Sequence, residues 1–379
     1  MKAFYQDFKL GIIGGGQLGR MLLQACSNFN VTPCVLDPSE DGPCSVLASE
    51  YTKGSLLDFE AVYSFGKQLD MLTIEIENVN VEALFQLERE GVAVYPQPRV
   101  IQIIQDKRVQ KQFYIDNEIP TADFVLVENR SEIEAQVGFF PAYNKLGKGG
   151  YDGGGVQKLE SKHDIPKAFD DRGLLEKFIN FQSEISVIAA RNVKGEISVF
   201  PVVECVFHPT LNLVDYLVSP SSLPTEIQQT AEELAKKTIE RLDMVGILAV
   251  EMFVTTDGEV LVNEVAPRPH NSGHQTINAN DTSQYEQHLR AIFGLPLGST
   301  GITKPSVMVN LLGEEGYTGP AVYEGLEKLL AIRGSNIFLY GKRITKPYRK
   351  MGHVTVLGDD LDDLKRKVQL VKEAIKVKA

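Results

Sequence analysis

Cysteine is scarce in this sequence, and its few cysteines form no recognisable metal or redox motif. They show neither a C-x-x-C pair nor a spacing shared with histidines, and they are Cys26, Cys34, Cys44 and Cys205. This spacing argues against a zinc site. We expect the four thiols to be reduced and partly buried, and we assign them no chemistry.

Long apolar runs and an excess of positive charge are also missing. No stretch approaches the length that spans a bilayer, and residues 1–10 lack the basic region and cleavage site of a signal peptide. The net charge of −11 would repel a nucleic-acid backbone. We therefore expect a cytoplasmic protein with neither a membrane nor a nucleic-acid partner, in which local basic groups hold anionic small molecules.

The composition is that of an ordinary globular protein with room for two or three domains, since 43% of the 379 residues are hydrophobic and 23% are charged. A strand over residues 10–13, a helix opening at Gly14 to Met21 and a strand over residues 31–36 ending at Asp37 form a βαβ pattern with G-x-G-x-x-G. This pattern predicts a Rossmann-like domain over residues 1–98. Taken alone, it also leaves open a nicotinamide-dependent dehydrogenase.

After residue 98 the pattern changes to helices mixed with mostly antiparallel strands. Helices are predicted over residues 100–117 and 224–242. Further strands are predicted over residues 142–146, 174–179, 184–191 and 197–204. From about residue 304 the chain is predicted to form short strands, and a last helix begins at residue 359. We place a second domain at 99–300, with a lid at about 118–178, and a small β-rich domain at 301–379.

A predicted hairpin brings two carboxylates together. If Asp257-Gly258 forms a two-residue loop between the strands 250–254 and 260–265, Glu251 lies directly opposite Glu264. Like charges across a ladder are destabilising, so a cation between them, such as Mg²⁺, would explain the pair. The alternative is an exposed hairpin whose glutamates point into water.

A glycine-rich hairpin runs from Lys145 to Val156 and carries a second lysine, Lys148. Such a loop can fold over a polyphosphate and offer backbone N–H donors and ammonium charge. It is not a Walker A loop, because no Gly-Lys-Ser/Thr sequence stands at the required place. A ligand-free surface hairpin is the alternative.

Two further groups of polar residues extend the candidate site. The strand edge at 176–179 can bind an adenine ring, with Glu184 near the ribose, and the proline-flanked loop 268–272 can bind substrate. A basic group near the C-terminus would suit a second phosphate or form a solvated face, and consists of Lys342, Lys346, Arg349 and Lys350.

Together these residues resemble the ATP-grasp superfamily, and within it the purine-pathway ligases that carboxylate an aminoimidazole ribonucleotide. The resemblance covers nearly the whole chain, in the segments 14–21, 106–111, 149–153, 176–184, 263–274, 282–290 and 349–353. Many other ATP-grasp enzymes have asparagine two residues after the second metal glutamate, where this chain has Ala266. The resemblance implies an α/β and α+β protein, with an ATP-grasp fold between a Rossmann-like N-terminal domain and a β-rich C-terminal domain.

The resemblance also implies which residues bind which group. ATP would contact Arg108, Lys145, Gly150, Tyr151, Asp152, Gly153, Gly154, Gly155, Val156, Glu176, Lys177, Phe178, Ile179, Glu184, His208, Asn263 and Glu264. The ribonucleotide would contact Gly16, Gln17, Leu18, Glu77, Tyr151, Asp152, Arg268, His270, Asn271, Ser272, Lys342 and Arg349. Mg²⁺ would be held by Glu251 and Glu264, and the expected catalytic residues are Asp152, Arg268 and Lys148.

Two positions depart from the pattern of these ligases. Leu146 stands where they have threonine or arginine, and Gly154 where they have lysine or arginine. We expect Lys148 to supply the phosphate charge that position 154 lacks. His208 is carried over although the spacing around Glu204 is irregular.

The expected reaction is the activation of bicarbonate by ATP and transfer of the carboxyl group to the amine of 5-aminoimidazole ribonucleotide. Carboxyphosphate would be the intermediate, and Asp152 would accept the proton of the amine. We further expect a homodimer. The alternatives are a formate-using ATP-grasp purine enzyme, the dehydrogenase mentioned above and a catalytically inactive binding module.

Overall fold

The computed structural model describes residues 5–150, 154–208 and 213–379. The N-terminal part is a parallel sheet with strand order β3-β2-β1-β4-β5, flanked by helices as predicted. Its strands are largely buried, which suits apolar segments covered on both faces. Its elements are β1 (Lys9–Ile13), α1 (Gln17–Asn28), β2 (Thr32–Asp37), β3 (Glu50–Lys53), α2 (Phe59–Gly66), β4 (Met71–Ile74), α3 (Val81–Arg89), β5 (Ala93–Val94) and α4 (Pro98–Ile104).

The single helix predicted over residues 100–117 is wrong. The chain instead forms α4 and a separate helix, α5 (Lys107–Asp116), with a break at Gln105 and Asp106. The Asp106 side chain accepts a hydrogen bond from the Arg108 N–H at 3.0 Å and thereby caps α5. An aspartate at this position favours a new helix start, because its carboxylate satisfies an N–H group that has no partner within the helix.

An antiparallel sheet of four strands follows, in the order β6-β9-β7-β8. The glycine-rich hairpin joins β7 to β8, and its residues Tyr151, Asp152 and Gly153 lie outside the described residues. The elements are β6 (Phe124–Val127), α6 (Arg130–Glu134), β7 (Ala142–Leu146), β8 (Val156–Leu159) and β9 (Gly173–Lys177), with short 3-10 helices at Val137–Phe139 and Lys162–Lys167.

The rest of the chain is organised by one antiparallel sheet of nine strands. Its first elements are β10 (Phe181–Arg191), β11 (Ile197–Val199), β12 (Val203–Phe207), β13 (Val214–Ser219), α7 (Thr225–Arg241), β14 (Gly246–Thr255), β15 (Val260–Ala266), a 3-10 helix (Asn271–Gly273), α8 (Thr276–Ala279) and α9 (Gln284–Ile292). The one strand predicted over residues 197–204 is therefore two strands. A bend between them lets β11 and β12 both pair with β10.

The C-terminal strands extend this sheet across residue 300. Eight of the nine strands lie in the order β15-β14-β10-β12-β13-β16-β21-β19, and β11 pairs with β10 outside this order. The strand β16 therefore pairs directly with β13. The C-terminal elements are β16 (Ser306–Leu312), β17 (Gly319–Pro320), β18 (Val322–Glu324), α10 (Leu326–Leu330), β19 (Ser335–Leu339), β20 (Ile344–Thr345), β21 (Lys350–Leu357), α11 (Leu361–Ala374) and β22 (Lys376–Lys378).

Apolar packing joins the N-terminal sheet to the central sheet. Met21 on α1 shares a buried cluster with Tyr285 and Leu289 on α9, and Thr73 Oγ1 lies 2.8 Å from His288 Nε2 across the same junction. This contact fixes the position of the glycine loop after β1 relative to the loop after β15. Within the described ranges, no helix has the length and apolar character needed to cross a membrane.

Candidate active site

A cleft of about 1410 Å³ lies where the N-terminal, four-stranded and central sheets meet. Most of the predicted site residues line it. They are Gly16, Gln17, Leu18, Glu77, Lys145, Gly150, Val156, Glu176, Lys177, Ile179, Glu184, His208, Glu251, Asn263, Glu264, Arg268, His270, Asn271, Lys342 and Arg349. The fold therefore brings residues from all three predicted domains to one cavity.

The structure reproduces the predicted opposition of Glu251 and Glu264, which are partners across β14 and β15. The turn is not the predicted two-residue loop, because Thr255 and Glu259 close a three-residue turn through a 2.9 Å backbone hydrogen bond. A β-bulge at Asn263 then adds one residue to β15 and restores the register. The longer turn shifts the register by one residue and the bulge shifts it back, so Glu251 still lies opposite Glu264.

The two glutamates have different charge environments. Lys107 Nζ lies 2.8 Å from Glu264 Oε2, and this lysine lowers the pKa of Glu264 to about 2. Burial, followed by repulsion from Glu264 and Glu184, raises the pKa of Glu251 to about 8. His270 Nε2 contacts Glu251 Oε1 at 3.1 Å, but burial and Arg268 lower the pKa of His270 to about 3, so it is neutral. At neutral pH Glu264 is therefore ionised and paired with Lys107, whereas Glu251 holds a proton.

The pair suits a hard divalent cation. Its two carboxylates are adjacent, and repulsion between them would fall if a cation lay between them. In the described ranges, no group of three or more His, Cys, Asp or Glu residues could hold a metal. A cation here would accordingly take its remaining ligands from a bound phosphate and water, as Mg²⁺ commonly does.

The phosphate side of the cleft contains a lysine that the sequence interpretation overlooked. Lys107, the first residue of α5, lines the cleft, whereas Arg108 turns outward and pairs with Glu128. Arg108 and Lys148 line a second cavity of about 620 Å³ on the other side of Gly147. The sequence signal for this arrangement was Asp106, whose side chain caps the start of α5. The position of the helix start determines which side of α5 Lys107 and Arg108 occupy. The predicted roles of Arg108 and Lys148 stay predictions.

Lys145 is held at the cleft by two partners. Its Nζ lies 2.5 Å from Glu176 Oε1 and 3.3 Å from Asn263 Oδ1. The other oxygen of Glu176 pairs with Lys111 at 2.5 Å. The Glu176 carboxylate is therefore engaged by two lysines, and sequence reasoning had assigned it only to adenine binding.

An apolar surface lies beside this charged group. Lys177 and Ile179 line the cleft together with Phe181 and Phe253, whose rings stack at 4.8 Å. Glu184 stands close by, and burial followed by Glu264 raises its pKa to about 7. A flat apolar wall next to a carboxylate suits a base and a sugar hydroxyl. The two phenylalanines carried no motif and were missed.

The glycine loop after β1 is occupied by carboxylates of the chain itself. The Gly15 N–H donates to Asp37 Oδ2 at 2.6 Å, and the Leu18 N–H donates to Glu75 Oε1 at 3.3 Å. A side chain at Gly16 would collide with the Glu75 carboxylate. Glu75 therefore takes the place at the start of α1 that a dinucleotide pyrophosphate would need, which argues against a dehydrogenase.

The substrate loop after β15 is tied to the N-terminal sheet. Arg268 forms a two-point ion pair with Glu77, with Nε–Oε2 at 2.5 Å and Nη2–Oε1 at 3.2 Å. Lys342 and Arg349 reach the same cleft and donate to the backbone carbonyls of Lys350 and Ile344. These three cations line the same cleft as the apolar wall.

Besides Arg108 and Lys148, four predicted residues among the described ones do not line the cleft. Ser272 is buried and lies 2.7 Å from Ser186 Oγ and 3.0 Å from His270 Nδ1, so it supports the loop from behind. Phe178 stacks on Tyr143 with ring centroids 6.0 Å apart. The other two are Gly154 and Gly155 of the hairpin.

Three domain families match successive parts of the chain. The Ribonucleotide synthetase preATP-grasp domain matches residues 8–105, and the ATP-grasp domain matches residues 112–285. The Phosphoribosylaminoimidazole carboxylase C-terminal domain matches residues 306–367. The three matches follow one another in the order predicted for the three domains.

Similar proteins extend over nearly the whole chain. The N5-carboxyaminoimidazole ribonucleotide synthase of Bacillus subtilis is 39% identical over 366 residues, which cover 95% of this chain and 94% of that protein. The Phosphoribosylaminoimidazole carboxylase of Saccharomyces cerevisiae is 36% identical, and the match covers 96% of this chain and 66% of that protein.

Two solved structures show the same architecture. N5-carboxyaminoimidazole ribonucleotide synthetase from Thermotoga maritima superposes with a TM-score of 0.91 at 42% identity, covering 98% of this chain and 99% of that one. N5-carboxyaminoimidazole synthase from Aspergillus clavatus, in complex with ADP and 5-aminoimidazole ribonucleotide, gives a TM-score of 0.88 at 31% identity and the same coverage.

The charge environment predicts how the Glu251→Gln change affects stability. Because the folded-state pKa of Glu251 is raised to about 8, the folded protein keeps a proton on Glu251 at pH values where the unfolded chain has lost it. The free energy of unfolding of the wild type therefore falls as the pH rises from about 5 to about 8. Glutamine carries no charge, so the melting temperature of Glu251→Gln should exceed that of the wild type by an amount that grows over this range. Thermal melts across the range measure it.

Glu259→Gln, an exposed change on the same hairpin, is the control and should show no such trend. A difference between Glu251→Gln and wild type that stays constant with pH would contradict the assigned charge environment.

Proposed function

Because the chain belongs to the N5-carboxyaminoimidazole ribonucleotide synthase family of ATP-grasp enzymes, we propose that it uses ATP and bicarbonate to carboxylate the exocyclic amine of 5-aminoimidazole ribonucleotide. The observation that carries the proposal is the opposition of Glu251 and Glu264 in a cleft that also presents Lys107 and Lys145. Paired carboxylates beside paired ammonium groups suit a metal-bound triphosphate.

ATP is proposed to lie between the four-stranded and central sheets. Its adenine would rest against the apolar wall of Ile179, Phe181 and Phe253, with the ribose toward Glu184. The phosphates would then reach the lysines at the opposite end of this wall. ADP bound to the Aspergillus clavatus relative supports nucleotide binding in this fold.

Mg²⁺ is proposed to be held by Glu251 and Glu264, the adjacent carboxylates of β14 and β15. The ion would neutralise charge that develops on the transferred phosphoryl group. Lys107 pairs with Glu264, and its ammonium group is proposed to contact a phosphate oxygen when ATP and the metal bind. Lys107 is therefore our candidate for the role that the resemblance assigned to Arg108.

The ribonucleotide is proposed to occupy the opposite end of the cleft. Arg268 is fixed by Glu77 and lines the same cleft as Gly16, Gln17 and Leu18 of the glycine loop. The chain's own carboxylates at this loop disfavour a phosphate there. The substrate phosphate would lie nearer Lys342 and Arg349, and His270 and Asn271 would contact the imidazole or ribose.

The proposed chemistry has three steps. A bicarbonate oxygen attacks the γ-phosphorus of ATP and displaces ADP, and the oriented cations offset the charge on the transferred group. Carboxyphosphate then breaks down to CO₂ and phosphate within the cleft, where exclusion of water protects it. The amine nitrogen attacks CO₂ and loses a proton, for which Asp152, outside the described residues, remains our candidate acceptor.

A cytoplasmic location and a homodimer belong to the same proposal. The purine-biosynthetic relatives support the cytoplasmic location, because nucleotides are made there. Sedimentation of the purified protein tests the dimer.

ADP release measures the proposed activity directly. Release should require bicarbonate, from which carboxyphosphate is formed, and should be faster with 5-aminoimidazole ribonucleotide, which captures the CO₂ that carboxyphosphate yields. Dependence on formate instead of bicarbonate would favour the formate-using alternative. Fluorescence of NADH, added without the other substrates, should be unchanged by the protein, and a saturable change would favour the dehydrogenase.

Substitutions in the loops around the phosphates separate the lysine roles. Lys107→Ala should reduce turnover by about two orders of magnitude, the scale of one oriented electrostatic donor, and Arg108→Ala by much less. Lys148→Ala should raise the Michaelis constant for ATP only if the hairpin closes over the nucleotide.

Limited proteolysis reports that closure independently. ATP with Mg²⁺ should protect the 147–156 hairpin in the wild type and protect it less in Lys148→Ala. Lys162→Ala, outside the hairpin, is the matched control. Equal protection in all three proteins would show that Lys148 does not contribute to closure.

For the two residues at the start of α5, the measured quantity is turnover. A larger loss of turnover in Arg108→Ala than in Lys107→Ala would reverse their assignment.

A further inference from the structure

Lys111 is a buried lysine that the proposed chemistry does not use. Its side chain is only 4% exposed and does not line the cleft, yet its ammonium group pairs with Glu176 Oε2 at 2.5 Å. Glu176 is 3% exposed, and its other oxygen pairs with Lys145 at the same distance. One buried carboxylate is thus shared by a lysine at the cleft and a lysine behind it.

Three separate elements build this group. Glu176 on β9 lies opposite Tyr143 on β7, so Lys145 is its diagonal neighbour on the same face of the four-stranded sheet. Lys111 approaches from α5. It also donates to Thr121 Oγ1, which donates in turn to the Val262 carbonyl at 2.7 Å, next to Asn263 on β15. The group therefore connects α5, the four-stranded sheet and the metal-side strand.

The charges explain why two lysines are present. Burial opposes ionisation of Glu176, but Lys145 and Lys111 together hold its pKa below the ordinary value. Removing one partner of a buried ion pair is strongly destabilising, because the remaining charge lacks compensation. If Lys145 were the only partner, an ATP phosphate could engage its ammonium group only by leaving the Glu176 carboxylate unpaired.

We infer that Lys111 is a positioning residue that retains Glu176 while Lys145 engages the ATP phosphates. The inference rests on the proposed function, which places these phosphates at Lys145. Lys111 supplies a counter-charge that nucleotide binding does not disturb, so Lys145 stays available to the phosphate. Without Lys111, Glu176 and ATP compete for a single ammonium group.

Calorimetric titration with ADP and Mg²⁺ tests this competition. Lys111→Met should weaken nucleotide binding by about tenfold or more, the effect of one lost charge contact. Adding Glu176→Gln in the same chain should restore binding to within about threefold of the wild type, because it removes the competing carboxylate. Lys236→Met, which removes an exposed lysine on α7, should bind like the wild type.

The outcomes separate the inference from the proposed function. A wild-type protein that binds no nucleotide overturns the proposed function. Wild-type binding with unchanged affinity in folded Lys111→Met overturns the inference, as does a double variant that binds as weakly as Lys111→Met. If Lys111→Met does not fold, the double variant decides, since folding with near-wild-type affinity supports the inference and folding with tenfold weaker affinity contradicts it.

Discussion

Repulsion between Glu251 and Glu264 is the constraint around which the cleft is organised. The two carboxylates are held side by side by the ladder between β14 and β15, with the bulge at Asn263 setting their register. The ladder fixes the backbone positions of the two residues, so their side chains start from adjacent places on β14 and β15. The neighbouring cations and the proposed metal offset this repulsion, which adds to burial in raising the pKa of Glu251.

The compensating groups come from elements that are distant in sequence. Lys107 begins α5, Lys145 lies near the end of β7, and His270 follows β15, so each reaches the carboxylates only after the three sheets have assembled. Tight packing between α1 and α9 and the Arg268–Glu77 ion pair keep the N-terminal sheet against this group. Folding and formation of the charged cleft are therefore the same event.

Local patterns predicted the βαβ unit and the carboxylate hairpin, which depend on short-range turn and strand chemistry. The ATP-grasp architecture and most of the cleft residues were predicted from the resemblance of the motif segments to a known family. The register at Glu251 was predicted correctly although the turn was not, because the longer turn and the bulge have opposite effects. The break between α4 and α5, which places Lys107 rather than Arg108 at the cleft, was not predicted, and the role assigned to Arg108 stays a prediction. The Glu176 group could not be predicted, because its partners meet only through tertiary packing and carry no spacing of their own.

The central claim is that Glu251 and Glu264 hold a divalent cation together with a nucleotide. Electron paramagnetic resonance of Mn²⁺, added with ADP, measures this binding without any turnover. The wild type and the exposed control Glu259→Gln should bind one Mn²⁺ in a nucleotide-dependent way, and Glu264→Gln should weaken that binding by about tenfold or more. Equal Mn²⁺ affinity in Glu264→Gln and the control would contradict the account.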